Sequence, residues 1–90
     1  MLQFKLIING RVQGVGYRAA ALKKANELQL KGWVKNTEDG DVLLVAQGDE
    51  TKLEHLIRWC NKGPVSARVE SLSVEEEKVT EIFTEFCIVK

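Results

Sequence analysis

The segment Gly10-Arg11-Val12-Gln13-Gly14-Val15-Gly16-Tyr17-Arg18 has the residue types of an anion cradle. Its three glycines permit the tight backbone path of a nest of main-chain N–H groups. A helix starting at Tyr17 would add the unpaired amides and partial positive charge of its first turn, and Arg18 could give a phosphate a forked, charge-assisted contact. Gln13, Gly14, Val15, Gly16, Tyr17 and Arg18 are therefore the candidate phosphate-binding residues. Glycines at a strand-to-helix turn also serve geometry alone, so this segment by itself leaves both readings open.

Other phosphate chemistries fail on their residues. No Gly-Lys-Ser/Thr is present for a P-loop, and the match Gly14-x-Gly16-x-x-Ala19 to a dinucleotide fingerprint leads into a hairpin instead of a parallel α/β unit. A Cys-x5-Arg phosphatase loop is missing, because Ser66 stands six residues after Cys60 and the sequence holds no such partner for Cys87. With one histidine, His55, and no Cys-x-x-Cys, zinc-ligand spacing is absent, and the two cysteines read as buried free thiols.

The elements that must position the cradle follow from hydrophobic period. Leu2, Phe4, Leu6 and Ile8 alternate with polar residues, interrupted only by Ile7, which predicts a strand with one buried face. Tyr17, Ala21, Ala25 and Leu28 recur at helical spacing and predict a first helix from about Tyr17 to Gln29. Gly32 to Asn36 and Asp41 to Gln47 read as strands joined by a hairpin at Asp39-Gly40. Asp49 caps a second helix carrying Leu53, Leu56, Ile57 and Cys60, and Gly63-Pro64 ends it. Ala67 to Val74 and Glu85 to Val89 are further strand candidates, with Glu75-Glu76-Glu77-Lys78 between them as a solvated turn.

The order strand, helix, strand, strand, helix, strand, with a short closing strand, predicts an α+β ferredoxin-like sandwich: two helices on one face of a mostly antiparallel sheet. In that topology the first two strands run parallel. Asn36 then ends its strand at the sheet edge where the glycine segment leaves the first strand, so loop and asparagine can share a site.

Composition bounds the partners. Ninety residues suit one domain, residues 1–90, with one core. Thirteen basic residues balance thirteen acidic ones, which removes the global field that draws proteins to nucleic acid or anionic membranes. Apolar runs fall far short of the roughly 20 residues that cross a bilayer, and the N-terminus lacks signal-peptide features, so a cytoplasmic protein is the default. RNA-recognition domains share this topology, but Asp41 to Gln47 carries none of the aromatics on which they stack bases. A regulatory domain that merely binds an anion is the other rival, since fold does not fix function. His55 reads as a surface or packing residue, Trp33 and Trp59 as core or rim, and the three consecutive glutamates as a solvated face.

Taken together, Gly10 to Arg18, Gly32-Trp33-Val34-Lys35-Asn36, Asp39-Gly40, Gly63-Pro64 and the ending Phe86-Cys87-Ile88 resemble the acylphosphatase family over nearly the whole chain. The resemblance implies hydrolysis of the carboxyl–phosphate bond of small acyl phosphates, without metal, cofactor or covalent enzyme intermediate. Arg18 matches the arginine that binds phosphate, and Asn36 matches the asparagine that positions the attacking water. Inorganic phosphate or sulfate is the expected site ligand, and a monomer the expected state. Departures from the family pattern are Tyr17 for phenylalanine, Lys35 for arginine, Gln29 for the glycine usual after the first helix, and Leu43 for glutamate.

Overall fold

A computed structural model describes residues 1–90. Strands β1 (Leu2–Arg11), β2 (Lys31–Asn36), β3 (Val42–Gly48), β4 (Arg68–Glu77) and β5 (Phe86–Ile88) alternate with helices α1 (Tyr17–Glu27) and α2 (Glu50–Lys62). They build one sheet of order β4-β1-β3-β2-β5. All neighbours are antiparallel except β2 and β5. The expected ferredoxin-like arrangement is present.

The core lies between the sheet and the two helices. Leu6 and Ile8 of β1, Val34 of β2, and Val42, Leu44 and Ala46 of β3 meet Tyr17, Ala21 and Ala25 of α1 and Leu53, Leu56 and Cys60 of α2. Of the period-two and helical-period positions read from the sequence, Leu6, Ile8, Tyr17, Ala21, Ala25, Leu53, Leu56 and Cys60 are buried, while Leu2, Phe4, Leu28 and Ile57 are half-buried against the core. Tyr17 and Trp59 pack ring to ring at 5.5 Å and join the helices.

Helix α1 stops two residues before its expected end. Leu30 N–H donates to Ala25 O and Gln29 N–H to Asn26 O, at 2.9 and 3.1 Å, which is the double hydrogen bond of a Schellman motif. Gln29 occupies the left-handed position of that motif with φ 59°. By contrast, Asp49 caps α2 as expected, its carboxylate accepting from Thr51 N–H and Lys52 N–H.

Glu75, Glu76 and Glu77 form no turn. They extend β4 and pair with Lys5, Phe4 and Gln3 of β1. Edge pairing with a ten-residue β1 prolongs the ladder past the apolar residues, because backbone hydrogen bonds do not depend on side-chain polarity. Cys87 is half-buried on β5 and free, whereas Cys60 is buried and free. The expectation of two buried thiols fails for Cys87, which faces away from the helices at a sheet edge.

The sheet face opposite the helices is partly covered. β4 and β5 lie at opposite edges, so the segment joining them, residues 78–85, has to cross the sheet. Gln47, 1 % exposed, anchors that crossing. Its amide donates to Glu81 O and to Gln3 Oε1, and its Oε1 accepts from Phe83 N–H. Ile7, the residue that broke the alternation of β1, pairs on this face with Leu43.

Candidate functional site

The loop between β1 and α1 turns on Gly14 and Gly16, with φ of 73° and 77°. A Cβ at either position would meet no atom within 4 Å, so backbone conformation rather than lack of space calls for glycine. Gly16 is the N-cap of α1. It supplies no side-chain acceptor, and the first turn carries no acidic residue. The two helices therefore differ: the N-terminus of α2 is neutralised by Asp49 and Glu50, while that of α1 keeps its amides and partial positive charge unanswered by the chain.

β1 and β2 are both antiparallel to β3 and hence run parallel, which brings Asn36 to the edge where the loop leaves β1. A cleft of about 210 Å³ opens there, lined by Val12, Gly14, Gly16, Tyr17, Arg18, Ala19, Asn36 and Ile88. Arg18 is the only charged residue among them. Asn36 Oδ1 is buried and accepts no hydrogen bond from the protein. A buried acceptor without a donor costs about 1–3 kcal/mol, and Asn36 is the residue that bears this cost in the lining of the cleft that holds Arg18.

Of the residues expected to bind phosphate, Gly14, Gly16, Tyr17 and Arg18 line this cleft, and Gln13 and Val15 do not. Tyr17 is 1 % exposed, and its side-chain hydroxyl donates to Cys60 O at 2.6 Å. That carbonyl belongs to the last turn of α2, where helix carbonyls lack internal partners. The hydroxyl that distinguishes Tyr17 from phenylalanine is thus satisfied in the core. Val15 O accepts from Ser66 Oγ at 2.9 Å, tying the loop to the segment after α2. Because a peptide's C=O and N–H point opposite ways, this bond directs Gly16 N–H away from Ser66.

Three lining residues carried no functional reading in the sequence: Val12, Ala19 and Ile88. Val12 and Ala19 flank the glycine loop, and Ile88 arrives through the parallel pairing of β5 with β2, where Val34 faces Ile88. Nothing short of the strand order signals Ile88. His55 is exposed on α2, Trp33 and Trp59 are half-buried, and none of them reaches the cleft. No group of three or more His, Cys, Asp or Glu residues is arranged to hold a metal ion. No helix is long and apolar enough to cross a membrane.

The acylphosphatase family model matches residues 4–88. The acylphosphatase of Methylococcus capsulatus is 50 % identical over 90 residues, covering 100 % of this chain and 98 % of that protein. The crystal structure of acylphosphatase from Bacillus subtilis superposes with a TM-score of 0.96 at 39 % identity, covering 100 % of both chains. An acylphosphatase from Coxiella burnetii follows with a TM-score of 0.92 at 41 % identity, over 98 % of this chain and 92 % of that one. Sequence, strand order and cleft converge on one assignment: the chain belongs to the acylphosphatase family, hydrolases acting on acid anhydrides.

Proposed function

We propose that this protein hydrolyses small acyl phosphates, cleaving the carboxyl–phosphate bond to give a carboxylate and inorganic phosphate. The phosphoryl group sits in the cradle of main-chain amides over Gly14 to Arg18, with the Arg18 guanidinium on its oxygens. Asn36 Oδ1 accepts a hydrogen bond from the attacking water and aims its lone pair at phosphorus. As the new P–O bond forms, the bond from phosphorus to the acyl oxygen breaks and the carboxylate leaves as a stable anion. A phosphate oxygen takes the water's proton. Neither leaving-group protonation nor a strong base is required, so the absence of histidine and paired carboxylates from the cleft is consistent with the chemistry. Orientation and a fixed electrostatic field supply the acceleration. No step calls for a metal, and the domain acts as a monomer.

The observation that carries this reading is the unpartnered, buried Oδ1 of Asn36, a residue that lines the same cleft as Arg18. Binding an anion alone would require donors, and an isolated acceptor would oppose it. An acceptor beside an anion cradle suits a nucleophilic water, which brings a proton to share. The discriminating assay is hydrolysis of an aromatic acyl phosphate with and without a chelator. We expect turnover indifferent to the chelator, a loss of roughly 100- to 1,000-fold in Arg18→Ala and of roughly 100-fold in Asn36→Ala, with both variants folded by circular dichroism. Wild-type turnover in either variant would refute its assigned role and favour a mere anion-binding domain.

A further inference from the structure

Gln13 lies at the start of the cradle loop, yet its side chain turns to the other half of the site. Its Nε2 donates to Thr37 O at 2.9 Å and to Asp41 O at 2.8 Å. Thr37 immediately follows Asn36, and Asp41 closes the same hairpin, where Thr37 N–H also donates to Asp41 O at 2.9 Å. Both partners of the Gln13 amide are carbonyl oxygens, which fixes its NH₂ end toward them. A primary amide has two N–H donors, and both are spent. What remains, Oε1, is an acceptor and would repel a phosphate.

We infer that Gln13 is a positioning residue whose amide clamps the β2–β3 hairpin to the cradle loop, thereby fixing Asn36 relative to the bound phosphoryl group. The inference rests on the hydrolytic reading above. Loop and hairpin come from separate segments, 24 and 28 residues apart in sequence at the two contacts, and Asn36 is only one peptide from a clamped carbonyl. The clamp is half-buried, so water competes poorly for the two carbonyls. The contribution falls on water attack. Displacing a nucleophile by about 1 Å costs on the order of 100-fold, whereas the cradle amides and Arg18 hold phosphate without the hairpin.

Steady-state kinetics of Gln13→Ala and Gln13→Met, the latter preserving side-chain volume and fold while removing both donors, test this. We expect kcat to fall ten- to hundredfold in both, with the competitive inhibition constant of inorganic phosphate within twofold of wild type. Adding Gln13→Met to Asn36→Ala should change the residual rate less than twofold, because the clamp acts through Asn36. A tenfold weakening of phosphate inhibition would make Gln13 a phosphate ligand and overturn the inference. Unchanged kcat with only a lower melting temperature would reduce the clamp to a structural tether and overturn it as well. If Asn36→Ala itself kept wild-type turnover, the hydrolytic reading would fall first, an outcome distinct from an intact Asn36 role with an indifferent Gln13.

Discussion

At the scale of single residues, burial separates what this chain keeps inert from what it offers to substrate. Cys60 is fully buried, and burial pushes its thiol from 9.0 up to about 12. Tyr17, whose hydroxyl bonds the Cys60 carbonyl, is likewise raised, first by burial and then by the neighbouring Cys60 thiolate. Both groups hold their protons more tightly in the folded chain than in the unfolded one. Their contribution to stability is therefore intact below about pH 9 and declines as pH rises toward 12. Urea unfolding at pH 8 and pH 10.5 checks this: the midpoint should drop with alkalinity in the wild type and drop less in Cys60→Ala. Equal drops would place the alkaline sensitivity elsewhere. Against these sealed groups stands Asn36 Oδ1, the one buried side-chain polar atom without a hydrogen-bond partner in the chain.

The elements differ most at their ends. α2 carries its own cap in Asp49 and reads as self-sufficient, while the N-terminus of α1 has no side-chain cap and no acidic residue in its first turn. The C-terminus of α1 shows the reverse economy. Gln29 takes the left-handed position of the Schellman motif with φ 59°, a conformation that costs a side-chain-bearing residue about 1–2 kcal/mol and glycine nothing. Part of that gain returns through the greater freedom of glycine in the unfolded chain. Gln29→Gly should thus raise stability by about 0.5–1 kcal/mol, even though it removes the acceptor of the exposed Lys52 Nζ contact at 3.0 Å. Thermal melts of the two proteins decide it, and a lower melting temperature in the variant would show that the Lys52 contact outweighs the backbone strain. At the sheet's other extreme, three-residue β5 is short but places Ile88 in the cleft and closes the edge beside β2.

For the whole molecule, the decisive feature is that β4 and β5 occupy opposite edges of the sheet. The connecting residues 78–85 must pass over the face the helices leave bare, and the Gln3–Gln47 pair with Glu77, Glu81 and Phe83 holds them there. A buried amide with satisfied partners is worth little beyond its alternatives, but a truncated one leaves Glu81 O and Phe83 N–H without their protein partner. Gln47→Ala should cost roughly 2–4 kcal/mol, by cavity formation and lost hydrogen bonds together, and accelerate hydrogen exchange at Phe83 N–H. Turnover should stay near wild type, since Gln47 is remote from the cleft lining. Exchange at Phe83 unchanged in the variant would contradict the anchoring role.

The sequence alone determined those features that depend on neighbours along the chain. Period-two and helical-period apolar positions named most of the core, Asp49 announced its cap, and the glycines before Arg18 announced a tight loop that turns on Gly14 and Gly16, because backbone sterics and local hydrogen bonding act within a few residues. The ferredoxin-like order even placed Asn36 beside that loop, since parallel strands share an edge. What sequence could not reveal was settled by distant chain segments meeting. The strand character of Glu75 to Glu77 came from a ladder on β1, the half-exposure of Cys87 from its edge position, and the presence of Ile88 in the cleft from β5 pairing with β2. The double bond of Gln13 to Thr37 and Asp41 likewise requires the folded chain, for a glutamine reads as a phosphate donor until tertiary contacts show where its two N–H groups are spent. Local propensity decides which element forms; only the closed sheet decides which of its atoms remain free to act.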